Sequence, residues 1–332
     1  MKLLAKVFSI VFCSVNLFAQ PSDFRMTDFN KADSVAYVYA SHTLYDLKDL
    51  AEKLTTSFAK DEEKFRAIYV WVCNNIQNDY ELYRENKSKR DRLINNPSAL
   101  KAWEKEFSVR CFKKLLAEQK TVCTGYAYLV RELATRSGLN CVMIDGFGRT
   151  AQANIGGMGI PNHSWNAVQL NNKWYLCDAT WSSGAIDTEQ GRFIKKYNNN
   201  YFLAPPDLFI RNHYPLDSAW MLVGDKPTLK EFLTRPLIYN SVYSKKISPV
   251  FPKTFEVTTA KGEPVPFQFK KNSEIVFKKV ELQINGATIA TNVYQDANGL
   301  YNLNHIFASR GTYLVHVLFD ADYAFTYSVK VR

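Results

Sequence analysis

The stretch "NHSWNAVQLNNKWYLCDATW", residues 162 to 181, restricts what the chain can fold into more than any other. Two short apolar runs flank Asn171-Asn172, and asparagine tolerates the left-handed backbone that a two-residue hairpin turn demands. With that loop, Leu170 faces Lys173, Val168 faces Tyr175, Trp165 faces Asp178 and His163 faces Thr180. Residues two apart share a face, so His163 and Asp178 become diagonal neighbours on one side. A three-residue loop would put them on opposite faces. Both faces are mostly apolar, with Trp165, Ala167, Trp174 and Leu176 on one and Val168, Leu170, Tyr175 and Cys177 on the other. An aspartate buried at the end of such a pair is costly unless it has a partner. His163, one of five histidines in the chain, is the nearest candidate. The plainer reading is an aspartate that only makes a turn.

Residues 31 to 78 read as helices. Within them "DEEKFRAIYVWVCNNI" (61 to 76) puts Phe65, Ile68, Tyr69, Val72, Cys73 and Ile76 on one stripe of a 3.6-residue repeat. Cys73 lies on that stripe and reads as a small buried hydrophobe. Residues 81 to 108 are charged and read as a surface excursion, with a short helix in "SALKAWEKEF". "CTGYAYLVRELATRSG" (123 to 138) is a second strong helix that stops at Gly138, and "LNCVMIDG" follows as a strand. The Gly-rich segment from 146 to 162 lacks phosphate-binding spacing and reads as a mobile loop beside a site. From about 240 the helical signals vanish. "TFEVTT", "IVFKKVELQING", "LYNLNHIF", "GTYLVHVLF" and "DYAFTYSVKV" read as strands of an antiparallel sandwich resembling an immunoglobulin-like domain.

A histidine held by an aspartate lacks only a nucleophile. Cys123 opens a helix, where unpaired backbone N–H groups and the helix dipole favour a thiolate. Thr121 is its expected N-cap, and Gly125 permits close backbone approach. Cys111, Cys141 and Cys177 sit in apolar segments, where burial raises a thiol pKa. Cys123 as nucleophile, His163 as base and Asp178 as orienting acid form the arrangement of acyl transfer, with the Cys123 N–H available to an oxyanion.

"VCTGYAYLVRELATRSGLNCVMIDG" and "NHSWNAVQLNNKWYLCDATW" together resemble the core of the transglutaminase-like superfamily, whose motifs run C-x-G-[YF]-A, H-x-W-N-x-V and W-Y-x-x-D-x-T-W. "EKFRAIYVWVCNNIQNDY" resembles the helix leading into that core. "YFLAPPDLFIRNHYPLDSAW" and the terminal strands point to its kyphoscoliosis-peptidase-like bacterial branch. The resemblance covers roughly residues 48 to 222. It implies an α+β fold, a papain-like transglutaminase core of helices packed on an antiparallel sheet, followed by an all-β immunoglobulin-like sandwich. It also puts the family's nucleophile on Cys123, its base on His163 and its orienting acid on Asp178. Many members carry glycine two positions before the cysteine, where this chain has Thr121. The resemblance identifies no second oxyanion donor, for which Trp103 and residues 111 to 121 are the candidates. No acidic cluster resembles the calcium sites of animal transglutaminases, so neither a metal nor another cofactor is implied.

The expected organisation is a signal peptide over 1–19, a transglutaminase-like domain with N-terminal helices over 20–230, and an immunoglobulin-like β-sandwich over 240–332. Lys2 and Lys6 precede an apolar run from Val7 to Phe18, too short to span a bilayer, and Ala19 suits a cleavage point. An exported protein, periplasmic or extracellular, is expected. Cys13 lacks the neighbours of a lipoprotein site, so no lipid anchor is expected. The formal charge of +10 is scattered over the chain and accompanied by no recognition motif, so no nucleic-acid partner is expected. Cleavage would leave five cysteines, an odd number, without a CxxC pair or zinc-ligand spacing. The expected activity is thiol-dependent amide hydrolysis or acyl transfer, foremost that of a peptidase acting on protein or cell-wall peptide. The alternative is a non-catalytic scaffold that binds a protein or cell-envelope partner, with the C-terminal sandwich as the docking element.

Overall fold

The structure, a computed structural model, describes residues 21–187, 190–271 and 276–332. The expected signal peptide over 1–19, with Cys13, lies outside the described residues, as does Ile275 in one expected strand. The first half holds helices α1 (Asn30–Val38), α2 (Leu47–Thr55), α3 (Asp61–Asn75), α4 (Tyr80–Leu93), α5 (Pro97–Glu118), α6 (Cys123–Arg136) and α7 (Ala179–Ser183). Among them, β1 (Gln77–Asn78) pairs in parallel with β2 (Lys120–Thr121). Strands β3 (Cys141–Gly148), β4 (His163–Leu170) and β5 (Lys173–Cys177) come next, then a small hairpin of β6 (Gly184–Asp187) and β7 (Arg192–Lys195), then β8 (His213–Pro215). The central sheet has the order β5-β4-β3-β8 and is antiparallel throughout.

The turn between β4 and β5 is the expected one. Leu170 pairs with Lys173, Val168 with Tyr175 and Asn166 with Cys177, and Asn171 and Asn172 have φ of 50° and 61°. Two successive left-handed residues make a type I′ turn, whose twist suits a tight hairpin. Val168, Leu170, Tyr175 and Cys177 face a helical core with α3 and α6. Trp165, Ala167 and Leu176 face a second core, which continues through Tyr201, Phe209, Val242 and Tyr243 into the C-terminal strands. The sheet is thus covered on both sides, as its two apolar faces require.

Helix α3 departs from the single stripe read in the sequence. Every residue from Phe65 to Cys73 is buried, because α1, α2, α6 and α7 all pack around it. A polar residue in that run needs a built partner. Arg66 has one: its guanidinium donates to both Asp33 oxygens, at 2.5 and 2.8 Å, and to Asn199 Oδ1 at 2.7 Å. Asp33→Ala is expected to lower stability by about 2 kcal/mol, because a buried cation loses its counter-charge while the half-exposed side admits some water. A urea melt measures this, and a loss under ~0.5 kcal/mol would mean that water replaces the carboxylate.

Residues 81 to 108 hold the short helix expected in "SALKAWEKEF" as the first half of α5, but most of the rest of the expected surface excursion is helical too. Helices α4 and α5 form a hairpin with its own small core of Leu82, Trp103, Phe107 and Cys111, closed by Val122 next to Cys123. Their outward faces carry ion pairs such as Glu81–Arg84 at 2.6 Å and Lys87–Asp91 at 2.7 Å. That charge swamps the narrow apolar seam in the sequence.

Beyond residue 246 two sheets meet across the second core. One holds Ile247–Phe251, Pro264–Lys271, Tyr294–Gln295 and Tyr301–Ile306; the other holds Glu256–Thr259, Val280–Ile284, Ala287–Ala290, Gly311–Phe319 and Asp322–Val331. Phe269 packs on Phe319 and Phe267 on Tyr327 between them. The pairing is antiparallel except for Glu256–Thr259, which runs parallel to the last strand. In "DYAFTYSVKV" the expected alternation holds only toward the end, where Val329 and Val331 are buried and Lys330 is exposed; Ala324 to Tyr327 are all buried, and Tyr323 is exposed.

Candidate active site

Cys123 is the first residue of α6, and the expected cap is not made. The N-cap position is Val122, extended and without a side-chain bond. Thr121 instead sits in β2 with its buried side chain beneath Gly125, where an added Cβ would come within 2.0 Å of Thr121 Oγ1. Gly125 therefore lets the helix start settle onto β2. Asn166 fixes the same helix against the sheet, its Nδ2 donating to Ala127 O at 2.9 Å and to Val142 O at 3.1 Å.

His163 opens β4, and its Nε2 donates to Asp178 Oδ2 at 2.7 Å. With Nε2 occupied, Nδ1 is the nitrogen left for the Cys123 thiol, which hydrogen-bonds to this ring. Asp178 follows β5 and caps α7, its Oδ1 accepting from the N–H groups of Thr180 and Trp181 at 2.8 and 3.1 Å. The turn behind it is pinned by the buried Tyr69 hydroxyl, 2.9 Å from Asp178 O and 2.7 Å from Ser182 Oγ. The three residues expected from the sequence thus come together in one line, although they belong to a helix start, a strand start and a strand end.

The surroundings push the three groups apart in basicity. Burial pushes the Cys123 thiol up, but the His163 hydrogen bond, the imidazolium charge and the Ser164 N–H outweigh it and hold the thiol below its ordinary value. Burial would depress His163, yet the charge and hydrogen bond of Asp178 carry it to about 10. Asp178 is buried, which alone would raise it, and its two histidine partners hold it well below the usual carboxylate range. A thiolate beside an imidazolium is the form such shifts favour. Burial pushes Cys111 and Cys141 up to about 12, and it pushes Cys73 and Cys177 well above the ordinary thiol range. These four are inert core, as expected.

Gly148 sets the place of the ring. A Cβ there would lie 2.9 Å from His163 Cβ and 3.0 Å from its Cγ, so β3 can pass this close only as glycine. Gly148→Ala is expected to keep the fold, displace the imidazole and slow alkylation of Cys123 at pH 6 by roughly ten- to a hundredfold. An unchanged rate in iodoacetamide labelling would contradict that packing argument.

The segment from 146 to 162, which the sequence presents as a mobile loop, is the end of β3 as far as Gly148, and from 149 onward it is tied to itself. Asn154 Nδ2 donates to Gly148 O at 2.9 Å and to Ile160 O at 3.1 Å, and Asn162 Oδ1 accepts from Gly148 N at 2.7 Å. Arg90 of α4 donates to Pro161 O and pairs with Glu104 at 2.5 Å, so the helical hairpin and the loop are joined. Burial raises the Tyr83 hydroxyl of α4 against the opposing charge of Lys87. Met158 stands 90% exposed at the loop tip. Trp103, one expected candidate for a second oxyanion donor, gives its N–H to Asn86 Oδ1 at 3.0 Å and is committed there.

One residue of the site was not singled out from the sequence. His213 begins β8, is fully buried, and its Nε2 lies 3.0 Å from Asp178 Oδ2. The signal for it was indirect: a buried aspartate needs more donors than one histidine and a turn supply. His163, Asp178 and His213 bring their ligand atoms within 4.8 Å of one another, a set that could in principle hold a cation. Both Nε2 atoms are already at hydrogen-bond distance from a single carboxylate oxygen, so the donor set fits a proton-sharing cluster better than a metal centre. No helix among the described residues is long and apolar enough to cross a membrane.

Residues 48–179 match the family model described as transglutaminase-like superfamily. Over 304 residues the chain is 30% identical to kyphoscoliosis peptidase of Mus musculus, covering 88% of this chain and 42% of that protein. Against kyphoscoliosis peptidase of Homo sapiens the identity is 30% over 296 residues, with 85% and 41% covered. Hillarin of Drosophila melanogaster is 25% identical over 224 residues, covering 64% of this chain and 25% of that protein. The chain spans about two fifths of the length of the first two relatives. A solved structure described as a TGase aligns with a TM-score of 0.28 at 18% identity, covering 52% of this chain and 35% of that one.

Proposed function

We propose, for a chain whose residues 48–179 belong to the transglutaminase-like superfamily, that Cys123 attacks the carbonyl carbon of an amide and hands the acyl group on. The observation that carries this reading is the continuous contact from the Cys123 thiol through His163 to Asp178 Oδ2, the last link 2.7 Å long. His163 Nδ1 takes the thiol proton, and the sulfur adds to the carbonyl carbon. The Cys123 N–H, at the uncapped helix start, donates to the oxygen that gains negative charge. The imidazolium returns its proton to the nitrogen as the C–N bond breaks, and an acyl-thioester remains on Cys123. A water or an amine, deprotonated by His163, then adds to the thioester and releases the acyl group, regenerating the thiol. Asp178 takes no proton in this cycle; held ionised, it keeps the imidazole in the tautomer that leaves Nδ1 free to accept.

Water as the acceptor makes the protein a peptidase, and the name of its 30% identical relatives, kyphoscoliosis peptidase, supports hydrolysis over transfer. The substrate class in this reading is protein or cell-wall peptide, met after export to the periplasm or the extracellular space. The experiment is mass spectrometry of a peptide mixture incubated with the protein, with and without an added primary amine. Shortened peptides mark hydrolysis, and peptides heavier by the amine mark transfer. If neither forms and Cys123 alkylates at pH 6 no faster than an ordinary thiol, the acyl-transfer reading falls. The scaffold reading, in which the C-terminal sandwich docks a protein or cell-envelope partner, then takes its place.

A further inference from the structure

We infer that His213 is a positioning residue for this centre: its Nε2–H, 3.0 Å from Asp178 Oδ2, fixes the carboxylate and tempers the basicity that Asp178 confers on His163. The inference rests on the acyl-transfer reading. A carboxylate offers about four lone-pair directions, and those of Asp178 meet His163 Nε2, His213 Nε2 and the N–H groups of Thr180 and Trp181. So filled, Asp178 cannot rotate, and its negative charge is shared between two imidazoles rather than spent on one. Remove His213 and Oδ2 concentrates its charge on His163, which becomes more basic and less precisely held.

The placement of His213 is built rather than incidental. Its ring stacks on Phe209 at 3.9 Å between centroids and lies 4.3 Å from the Trp181 ring. The titratable groups facing it are Asp178, His163 and Tyr201, with Tyr243 one contact further off through Asn212; burial pushes both tyrosines up. Burial also drives His213 itself down to about 4, so the ring is neutral at ordinary pH. A neutral ring that donates Nε2–H to an ionised carboxylate must accept at Nδ1. There it meets the Asn212 side-chain amide at 2.7 Å. Amide oxygen and nitrogen exchange by a half-turn, and the amide N–H is the end that satisfies Nδ1. Tyr243, whose hydroxyl is 2.9 Å from the same Asn212 atom, then accepts from it and donates to Leu208 O at 3.3 Å. Each contact along the line Tyr243–Asn212–His213–Asp178 then joins a donor to an acceptor.

The test is the rate of iodoacetamide alkylation of Cys123 from pH 4 to pH 11 in the wild type, His213→Phe and His213→Gln, with thermal melts alongside. Phenylalanine keeps the stack and removes the donor; glutamine restores a donor. His213→Phe is expected to slow alkylation at pH 6 roughly tenfold, as loss of a supporting partner does elsewhere. It is also expected to move the step set by His163 to higher pH. His213→Gln returns both toward wild type. Folded variants with the wild-type rate and profile would overturn the inference and leave His213 as packing. If His213→Phe does not fold, ¹⁵N NMR of the wild-type imidazoles decides: a neutral Nε2–H tautomer at pH 7 supports the inference, and a Nδ1–H or charged ring overturns it. Ordinary alkylation of the wild-type thiol would instead count against the acyl-transfer reading, while the NMR result still judges the hydrogen bond.

Discussion

His163→Ala slows alkylation of Cys123 at pH 6 on the order of a hundredfold, and it lowers stability by about 3 kcal/mol because the buried Asp178 loses its 2.7 Å partner. The sign follows from what holds the thiol down. Burial alone pushes Cys123 up, and the His163 hydrogen bond and charge are the main influences that reverse it. Without them the thiol returns to its ordinary value or above, and at pH 6 well under ~1% of an ordinary thiol is ionised. In the wild type the thiolate persists below the ordinary thiol range because its partner imidazole, carried to about 10, stays charged across that interval. The difference between the two proteins is therefore largest in mild acid and narrows as the pH rises through the ordinary thiol range and beyond it. A rate that does not depend on residue 163 at pH 6 would remove the base from the proposed centre.

Asp178→Asn has a larger expected effect on reactivity and a smaller one on shape. Asparagine keeps an oxygen for the N–H groups of Thr180 and Trp181, and it caps helices about as well as aspartate. Its amide NH₂, however, replaces Oδ2 and points at two Nε2 atoms that now carry protons. Each ring must move its proton to Nδ1 to accept from the amide. His163 then presents a donor to Cys123 and cannot take the thiol proton. Alkylation at pH 6 is expected to fall about a thousandfold, comparable to what the wrong histidine tautomer costs in other triads. Stability falls by only about 1–3 kcal/mol. An aspartate that merely made a turn would show the opposite: wild-type reactivity in the asparagine variant. Labelling kinetics with a denaturant melt on the same sample reads both quantities.

The centre was legible where local geometry controls it. Asn171 and Asn172 both adopt positive φ, so counting outward from that turn gives the facing pairs from Leu170–Lys173 to Asn166–Cys177. The expected pairs Trp165–Asp178 and His163–Thr180 do not form, because Asp178 caps α7 and Thr180 lies within it, yet His163 still reaches Asp178. The start of α6 was legible because the apolar face of "CTGYAYLVRELATRSG" begins at Cys123. Its cap was not, because Thr121 is claimed by a strand pairing with Asn78, a contact that no local rule anticipates. Helix α3 was read as amphipathic since periodicity reports one stripe, whereas tertiary packing buries the whole circumference around Arg66. Helix α4 has no signal in the sequence and α5 only its first half, in "SALKAWEKEF", because charged residues mask their narrow core. His213 lies 35 residues from its carboxylate on a strand of three residues, too short for any pattern to appear. Its role arises only when β8 docks beside β3.

Tyr243 touches Asn212, Asn212 touches His213, and His213 touches Asp178. Tyr243 also belongs to the apolar core shared with the C-terminal strands. Because the packing around Tyr243 continues into those strands, their loss is expected to loosen the ring that holds Asn212, and with it the setting of Asp178.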